Sequence, residues 1–259
     1  MWSYYGSKSK VIKHYPPPAH GRIIEPFAGT AQYSLRYWER DVTLIDKYEV
    51  IVRIWKWLQQ CTPADVLGLP RLKCGENVDD FQWDCIEAKW YVGMIITGAP
   101  TQPKKTASRW KTVVRPNTQN YKLTFAAENL HRIRHWEIIQ GDYQDIENRE
   151  ATWFIDPPYQ QGGKYYVHSQ IDYTHLAAWS RSRQGQTIVC ENTNANWLPF
   201  APLVAMRGNR HSTIEAIYTG DTHVAQQKED LGRPHAYADS PLPADGRVPS
   251  AYVPAPQHP

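Results

Sequence analysis

The stretch Arg22-Ile23-Ile24-Glu25-Pro26-Phe27-Ala28-Gly29-Thr30 predicts a short strand that ends at an acidic residue and enters a Pro/Gly loop. A helix-compatible segment, residues 32–39, follows it. Residues 41–46 predict a second strand, which also ends on a carboxylate. Residues 48–59 predict a helix, since five apolar side chains recur there at helical spacing: Val50, Ile51, Ile54, Trp55 and Leu58. This alternation predicts a right-handed parallel α/β unit.

The alternation stops at about residue 61 and resumes at about residue 131. The intervening segment is rich in turn formers and aromatic residues, so we expect an insertion with its own small fold. Residues 136–143 and 152–159 then predict strands that lead into loops, the second stopped by two prolines. Residues 186–190 and 212–218 predict the last strands, the second as the far arm of a hairpin at the sheet edge.

Composition excludes several classes of protein. The chain has 259 residues, 41% of them hydrophobic and 21% charged, which is enough to bury a sizeable core. No apolar run approaches the ~20 residues that cross a bilayer, and the start of the sequence does not resemble a signal peptide. We therefore expect a cytoplasmic protein without membrane contact. Residues 221–259 are polar and then proline-rich, which predicts a disordered tail.

The four cysteines are widely spaced and form no C-x-x-C pair. This spacing argues against a zinc site and against a disulfide framework, so we expect reduced thiols and no metal. The histidines show no metal-like spacing either. No serine has an evident histidine partner for nucleophilic catalysis.

Positive charge is concentrated in residues 101–136. The net charge of the chain is only +3, but this segment holds eight basic residues against Glu128 alone: Lys104, Lys105, Arg109, Lys111, Arg115, Lys122, Arg132 and Arg134. Trp110, Tyr121 and Trp136 are interleaved with them. Such a mixture favours a polyanionic partner, because the cations contact phosphates and the rings stack on bases. A solvated basic face is the alternative interpretation.

Two carboxylates, Glu25 and Asp46, sit at predicted strand ends 21 residues apart. In an open parallel sheet, ligands bind beyond the carboxyl ends of the strands. A carboxylate after the second strand is typical of ribose binding, because it accepts two hydroxyl hydrogen bonds. Gly29 permits close backbone approach, but the G-x-G-x-x-G and P-loop patterns are missing, which weakens the dinucleotide and triphosphate hypotheses.

The most specific motif is Asp156-Pro157-Pro158-Tyr159, directly after an apolar strand. Two consecutive prolines remove two amide donors and stiffen the loop, which leaves backbone carbonyls free to accept hydrogen bonds. An acidic side chain, a rigid carbonyl and an aromatic face then share one turn. Together they can hold a planar group that carries an exocyclic amine.

These motifs, in this order, resemble the Dam-type DNA adenine-N6 methyltransferases, which use S-adenosylmethionine. Residues 4–8, Tyr-Tyr-Gly-Ser-Lys, resemble the amino-terminal motif that closes over the methionine part of the cofactor. Residues 25–31 resemble the acidic-Pro-Phe-x-Gly-x-Gly loop, with Ala31 in place of the second glycine. Ile45-Asp46 is similar to the ribose-binding motif, Gly141-Asp142-Tyr143 to the loop beside the cofactor adenine, and residues 156–159 to the catalytic motif.

The resemblance implies a Rossmann-like α/β methyltransferase fold with a mostly helical target-recognition insertion. The catalytic domain would comprise residues 1–60 and 131–220, and the insertion residues 61–130. It implies four catalytic residues: Asp156, Pro157, Pro158 and Tyr159. The implied cofactor-binding residues are Tyr4, Tyr5, Gly6, Lys8, Glu25, Phe27, Gly29, Asp46, Asp142, Tyr143 and Asp156. The implied DNA-binding residues are Lys104, Lys105, Arg109, Lys111, Arg115 and Lys122.

On this resemblance we expect methyl transfer from S-adenosylmethionine to a flipped adenine in double-stranded DNA. Asp156 and the Pro157 carbonyl would accept the two amino hydrogens, and Tyr159 would stack on the base. The insertion matches no known specificity pattern, GATC included. Cytosine-N4 methylation, RNA adenine methylation and a non-catalytic DNA-binding role remain alternatives. By family analogy we expect a bacterial or phage protein, in a restriction-modification context, that is a monomer or a weak dimer.

Overall fold

The computed structural model describes residues 1–207 and 212–221, so all but the first residue of the predicted tail lies outside the described residues. Seven described strands form one sheet in the order β3-β2-β1-β4-β5-β7-β6. Their bounds are β1 Arg22–Glu25, β2 Asp41–Asp46, β3 Glu137–Gln140, β4 Ala151–Ile155, β5 Gly185–Asn192, β6 Ala201–Arg207 and β7 Ser212–Asp221.

The first five strands are parallel. β1 pairs with both β2 and β4, β2 also pairs with β3, and β4 also pairs with β5. The order 3-2-1-4-5 is that of a doubly wound Rossmann-type sheet, whose direction of winding reverses between β1 and β4. Glu25 ends β1 and Asp156 directly follows β4. The two carboxylates therefore meet at the topological switch point, where such sheets bind ligands.

The predicted hairpin at the sheet edge is confirmed, with β7 as its second arm. β7 runs antiparallel to both β5 and β6, and the edge strand β6 was not predicted. The register shifts between Pro202 and Val204. Because proline cannot donate to the ladder, such an irregular strand is tolerated at an edge but is hard to recognise in sequence.

Six α-helices of the described residues cover the sheet: α1 Gln32–Arg36, α2 Glu49–Gln60, α3 Pro63–Leu67, α4 Ile86–Ile95, α5 Thr118–Ile133 and α6 Tyr173–Arg181. α1 is three residues shorter than the compatible segment, because Tyr37 leaves the helical conformation. Apolar side chains on one face of the sheet pack against α2, α4 and α5, and those on the other face pack against α6. No helix of the described residues is long and apolar enough to span a bilayer.

The segment predicted as an insertion contains α3, α4, most of α5 and a π-helical turn at Trp110–Val114. Its buried side chains, among them Val66, Tyr91 and Leu123, belong to the same hydrophobic cluster as Leu44 of β2. These helices therefore share a core with the sheet. The division of the chain into a catalytic domain and an insertion stays a prediction.

Candidate active site

A cleft of about 140 Å³ opens at the carboxyl edge of the parallel strands. All eleven predicted cofactor-binding residues line this cleft, although they come from five separate stretches of the chain. Of the predicted catalytic residues, Asp156 and Pro158 also line it. The topology explains the convergence, since the loops that follow β1, β2, β3 and β4 all leave the sheet at this edge.

The loop after β1 is fixed by the carboxylate at the end of β2. The Gly29 amide donates to Oδ2 of Asp46 at 3.0 Å, and the Tyr48 amide donates to Oδ1 at 2.8 Å. Gly29 has a φ of +44°, a conformation that glycine adopts without steric cost. The indole of Trp55 donates to the Gly29 carbonyl at 2.9 Å. Burial raises the pKa of Asp46 against the opposing effect of the two amides.

Glu25 lies deeper in the cleft and is only 2% exposed. Its Oε1 accepts a hydrogen bond of 2.7 Å from the Ser34 amide in α1. Burial raises the pKa of Glu25 to about 8, because desolvation penalises the charged form more than the Ser34 contact stabilises it. The cleft thus holds an acid that titrates near neutral pH, beside the half-buried carboxylate of Asp46.

Asp156 is held by Lys8. The Nζ atom of Lys8 lies 2.6 Å from Oδ1 of Asp156 and 3.1 Å from the Gly6 carbonyl oxygen, which accepts from it. The same ammonium lies 4.6 Å from the centre of the Tyr159 ring. Burial raises the pKa of Asp156 to about 6, although Lys8 acts in the opposite direction. Burial alone would lower the pKa of Lys8, but Asp156 and Glu215 raise it above its ordinary value.

Glu215 of β7 joins this group of charges and was missed by the sequence analysis. Its Oε1 lies 3.8 Å from Nζ of Lys8 and accepts hydrogen bonds from the hydroxyls of Tyr159 and Tyr15, the latter at 2.5 Å. Tyr159 does not line the cleft itself but lies behind Lys8, anchored through its hydroxyl. No local motif marks Glu215, because only the antiparallel hairpin brings it to the site.

The loop after β4 is braced from two sides. The Tyr173 hydroxyl donates to the Pro158 carbonyl at 2.8 Å, and Oε1 of buried Glu191 accepts from the Gln160 amide at 2.6 Å. Burial raises the pKa of Glu191, which three donors partly offset. Within residues 1–207 and 212–221, no backbone or side-chain donor reaches the Pro157 carbonyl. Pro157 itself is buried and does not line the cleft, so contact between its carbonyl and a ligand stays a prediction.

The opposite wall of the cleft contains Asp142 and Tyr143. Nζ of Lys47 lies 2.7 Å from Oδ2 of Asp142. Burial would raise the pKa of Asp142, but the hydrogen bond and charge of Lys47 outweigh it and lower that pKa. Tyr143 is buried, shares a hydrogen bond of 2.9 Å with Nδ1 of His175, and packs its ring 5.3 Å from that of Phe27. The pair Phe27–Tyr143 gives this wall an aromatic surface.

Sequence analysis also missed residues 166–172, six of which line the cleft. The Tyr166 hydroxyl donates to the Tyr5 carbonyl at 2.9 Å, and its ring lies 5.9 Å from that of Tyr4. A Cβ at Gly6, which has a φ of +73°, would lie 2.1 Å from the Tyr166 hydroxyl oxygen. The amino-terminal motif and this segment therefore meet across the cleft. Nothing in the local pattern of residues 166–172 marks this contact.

The predicted DNA-binding residues are all at least partly exposed. Lys105, Arg109 and Arg115 are exposed, and Lys104, Lys111 and Lys122 are half-buried. Lys104 and Lys105 line a second groove, which shares Tyr5 with the cleft. Burial lowers the pKa of Lys111 and Lys122, and a neighbouring cation adds to the effect at each. In the described part of the chain, no group of three or more His, Cys, Asp or Glu side chains could hold a metal ion.

No protein-family model matches this sequence, and no curated protein matches it significantly. Among solved structures, the chain is similar to the protein described as "Putative methyltransferase yhhF from Escherichia coli". The two chains are 9% identical, with a TM-score of 0.35 over 83% of this chain and 80% of that one. At this identity and TM-score the likeness says nothing about the reaction, so the geometry of the site itself supports the functional proposal.

Proposed function

We propose that this protein is an S-adenosylmethionine-dependent methyltransferase that modifies the N6 amino group of adenine in DNA. The observation that carries the proposal is the turn after β4. There the Asp156 carboxylate lines the same cleft as Glu25 and Asp46, and the Pro157 carbonyl that follows it has no hydrogen-bond donor among the described residues. Two acceptors on one rigid turn fit a planar group with two amino hydrogens.

The cleft fits the proposed cofactor, which has a ribose diol, an adenine ring and a charged methionine end. Asp46 offers carboxylate oxygens for the diol, and the Phe27–Tyr143 wall offers an aromatic surface for the adenine ring. Buried Glu25 offers carboxyl oxygens that can accept hydrogen bonds from the ammonium of the methionine end, whose positive charge would favour the ionised form of Glu25. When bound, S-adenosylmethionine supplies an electrophilic methyl group.

The proposed chemistry of the chain is acceptance of hydrogen bonds. The amino nitrogen of adenine is a poor nucleophile, because its lone pair is delocalised into the ring. Asp156 and the Pro157 carbonyl would accept its two hydrogens and so localise the lone pair on nitrogen. Asp156, with a pKa of about 6, is mostly ionised at neutral pH and stabilises the positive charge that develops on the nitrogen. After transfer, the Asp156 carboxylate would accept the proton that the methylated nitrogen releases.

An enzyme cannot reach the amino group of a base that stays stacked inside a duplex, so the target base would be flipped into the cleft. We expect Tyr159, whose hydroxyl donates to Glu215, to stack on that base, although its ring does not line the cleft. The basic residues around the neighbouring groove support a nucleic-acid substrate, because they neutralise phosphates. Carboxylate at the first position of the motif favours adenine over cytosine, for which relatives usually have serine there.

The proposal is tested by transfer of a labelled methyl group from S-adenosylmethionine to unmethylated DNA. We expect transfer by the natural protein and a loss of at least about 100-fold for Asp156→Asn, which keeps the size of the side chain but removes its charge. Circular dichroism shows whether the Asp156→Asn protein is folded, and calorimetry measures cofactor binding by both proteins. Equal transfer by the two proteins would reject Asp156 as the catalytic acceptor, and cofactor binding without transfer to DNA by the natural protein would reject DNA as substrate.

A further inference from the structure

Three of the most exposed aromatic side chains of the described residues each lie beside a cation. Tyr165 is 58% exposed, Trp110 46% and Tyr121 61%. The Nζ of Lys164 lies 5.4 Å from the centre of the Tyr165 ring, the guanidinium carbon of Arg115 lies 5.3 Å from that of Trp110, and Nζ of Lys122 lies 5.8 Å from that of Tyr121. Core packing does not explain rings left this open to water.

One of these rings, that of Tyr165, borders the groove beside the cleft together with the ring of Tyr5. The groove is lined by Tyr5, Tyr165, Lys104, Lys105 and the turn at residues 97–101. The rings of Tyr5 and Tyr165 lie 5.7 Å apart, and the Tyr5 amide donates to the Pro100 carbonyl at 3.2 Å. Tyr5 lines both the groove and the cleft. A DNA strand bound in the groove would therefore lead directly to the proposed reaction site.

Trp110 lies beside the turn that lines the groove. A Cβ built on Gly98, which lies in that turn, would be 3.8 Å from Cδ1 of Trp110. The π-helical turn Trp110–Val114 in turn contacts α5, the helix that holds Tyr121 and Lys122. We call the surface formed by Tyr5, Tyr165, Trp110 and Tyr121 with their neighbouring cations the aromatic–basic path.

The path is nearly free of negative charge. Between Glu87 and Glu128 the sequence contains no Asp or Glu, and its cations there are Lys89, Lys104, Lys105, Arg109, Lys111, Arg115 and Lys122. Asp79 is the carboxylate that approaches this set, at 2.6 Å from Nζ of Lys89 and 3.0 Å from Nζ of Lys105. The path therefore combines open ring faces with an excess of positive charge.

From this arrangement we infer that the aromatic–basic path binds unpaired nucleotides of the DNA strand that carries the target adenine. Bases inside a duplex stack on one another and cannot present their faces to protein rings, whereas unpaired bases stack on aromatic side chains while cations hold the phosphates. The favoured substrate is then DNA with a single-stranded segment next to the target, such as an overhang or an open junction. The inference rests on the proposed function for the reaction, but the binding can be measured without methyl transfer.

The test is fluorescence anisotropy of labelled oligonucleotides with the full chain, in one buffer of fixed salt. The probes share one sequence and are a blunt duplex, the same duplex with a ten-nucleotide overhang, the DNA single strand, and the RNA single strand. We expect the overhang and the DNA single strand to bind at least about 10-fold more tightly than the blunt duplex. Equal affinity for blunt and overhang DNA, or tight binding of RNA alone, would overturn the inference.

Substitutions distinguish the contribution of ring stacking to DNA affinity from that of general electrostatic attraction. Trp110→Leu and Tyr165→Leu remove a ring face and should each weaken overhang binding by about 10-fold while leaving blunt-duplex binding unchanged. Trp110→Phe keeps a ring and should retain most of the affinity. Arg149 is an exposed arginine just before β4 that pairs with Glu147 and lies outside the aromatic–basic path. Arg149→Gln therefore serves as the control for the loss of one positive charge elsewhere on the surface. An equal effect of Trp110→Leu on blunt and overhang DNA, or none on either, would contradict stacking.

The results also show whether this inference and the proposed methyl transfer hold independently of each other. Because Trp110 and Tyr165 are exposed, their variants should keep the natural melting temperature, which circular dichroism checks. Tight, ring-dependent binding of overhang DNA without methyl transfer to any polymer would support the path and reject the reaction. Methyl transfer to blunt duplex DNA with no preference for overhangs would support the reaction and overturn the path.

Discussion

The ammonium of Lys8 lies 2.6 Å from Oδ1 of Asp156, although the two residues are 148 positions apart in the sequence. In the proposed reaction, the same carboxylate accepts a hydrogen from the adenine amino group. The amino group must therefore use the second oxygen of Asp156 or displace Lys8. Either way, Lys8 and its second neighbour Glu215 control the charge of the acceptor.

Removal of the Lys8 charge should make Asp156 easier to protonate. In Lys8→Met the carboxyl loses its cation and keeps Glu215 nearby, so its pKa should rise above about 6. The acid limb of the pH profile of kcat/KM should then move to higher pH, with lower activity at pH 7. Lys10→Met, an exposed neighbour, should leave the limb in place. An unmoved limb in Lys8→Met would show that Asp156 is not the titrating group.

Glu215→Gln should act in the opposite direction. The Glu215 charge raises the pKa of Asp156, so its removal should move the acid limb to lower pH. Glutamine still accepts hydrogen bonds from Tyr159, whereas alanine does not. Both variants should therefore show the shifted acid limb, and Glu215→Ala should also show a fall in kcat that is much smaller in Glu215→Gln. A purely structural role would lower the melting temperature of both variants and leave both pH profiles unchanged.

Asp46 should determine cofactor affinity. We expect Asp46→Asn to weaken S-adenosylmethionine binding at least about 10-fold, or about 1.4 kcal/mol, because a charged acceptor for the ribose diol and for the Gly29 amide is lost. Asp41→Asn, at the other end of the same strand, breaks only a surface ion pair with Arg22 and should leave affinity unchanged. Calorimetry distinguishes the two; a similar effect at both positions would argue against a specific role for Asp46.

Gly6 should be important for cofactor binding both because its φ is positive and because it leaves room for the Tyr166 hydroxyl. Gly6→Ala places a Cβ 2.1 Å from the Tyr166 hydroxyl oxygen, so the contact across the cleft must open and cofactor affinity should fall. Gly75 also has a positive φ, of +86°, but a Cβ there would meet nothing within 4 Å. Gly75→Ala should therefore cost only the ~1–2 kcal/mol of backbone strain and leave affinity intact. Equal affinity losses in the two variants would reject the role given to Tyr166.

Glu25 should make the free energy of unfolding depend on pH. Its pKa is about 8 in the folded protein against an ordinary 4.5, so its contribution to stability is complete below pH 4.5 and is lost as pH rises toward 8. Glu25→Gln removes this titration. Between pH 5 and 8 the free energy of unfolding of the Glu25→Gln protein should fall less steeply with pH than that of the natural protein. The two slopes should differ by up to about 1.4 kcal/mol per pH unit. Urea titrations measure the slope, and an unchanged slope would show that Glu25 is charged in the folded state.

Three carboxylates that sequence analysis placed in the cleft share a local property. Glu25, Asp46 and Asp156 each end or follow a short apolar strand, and parallel strands deliver their carboxyl ends to one edge of a sheet. Local pattern and fold class therefore suffice to bring them together, and the structure does so.

Other parts of the site depend on contacts that no local pattern encodes. Glu215 meets Tyr15 at a sequence separation of 200 and Tyr159 at a separation of 56, through an antiparallel hairpin. Six of the residues 166–172 line the cleft, where Tyr166 packs against Tyr4 of the amino-terminal motif. The ion pair of Lys8 with Asp156 likewise follows from tertiary packing, so the pKa of Asp156 could not be inferred from its motif.

The central claim is tested most directly by the identity of the modified base. DNA treated with the natural protein and S-adenosylmethionine, with blunt and overhang substrates in parallel, is digested to nucleosides and analysed by mass spectrometry. The proposed function predicts N6-methyladenine, absent when Asp156→Asn replaces the natural protein. Methylcytosine as the product, or no methylated nucleoside from either DNA, would contradict it.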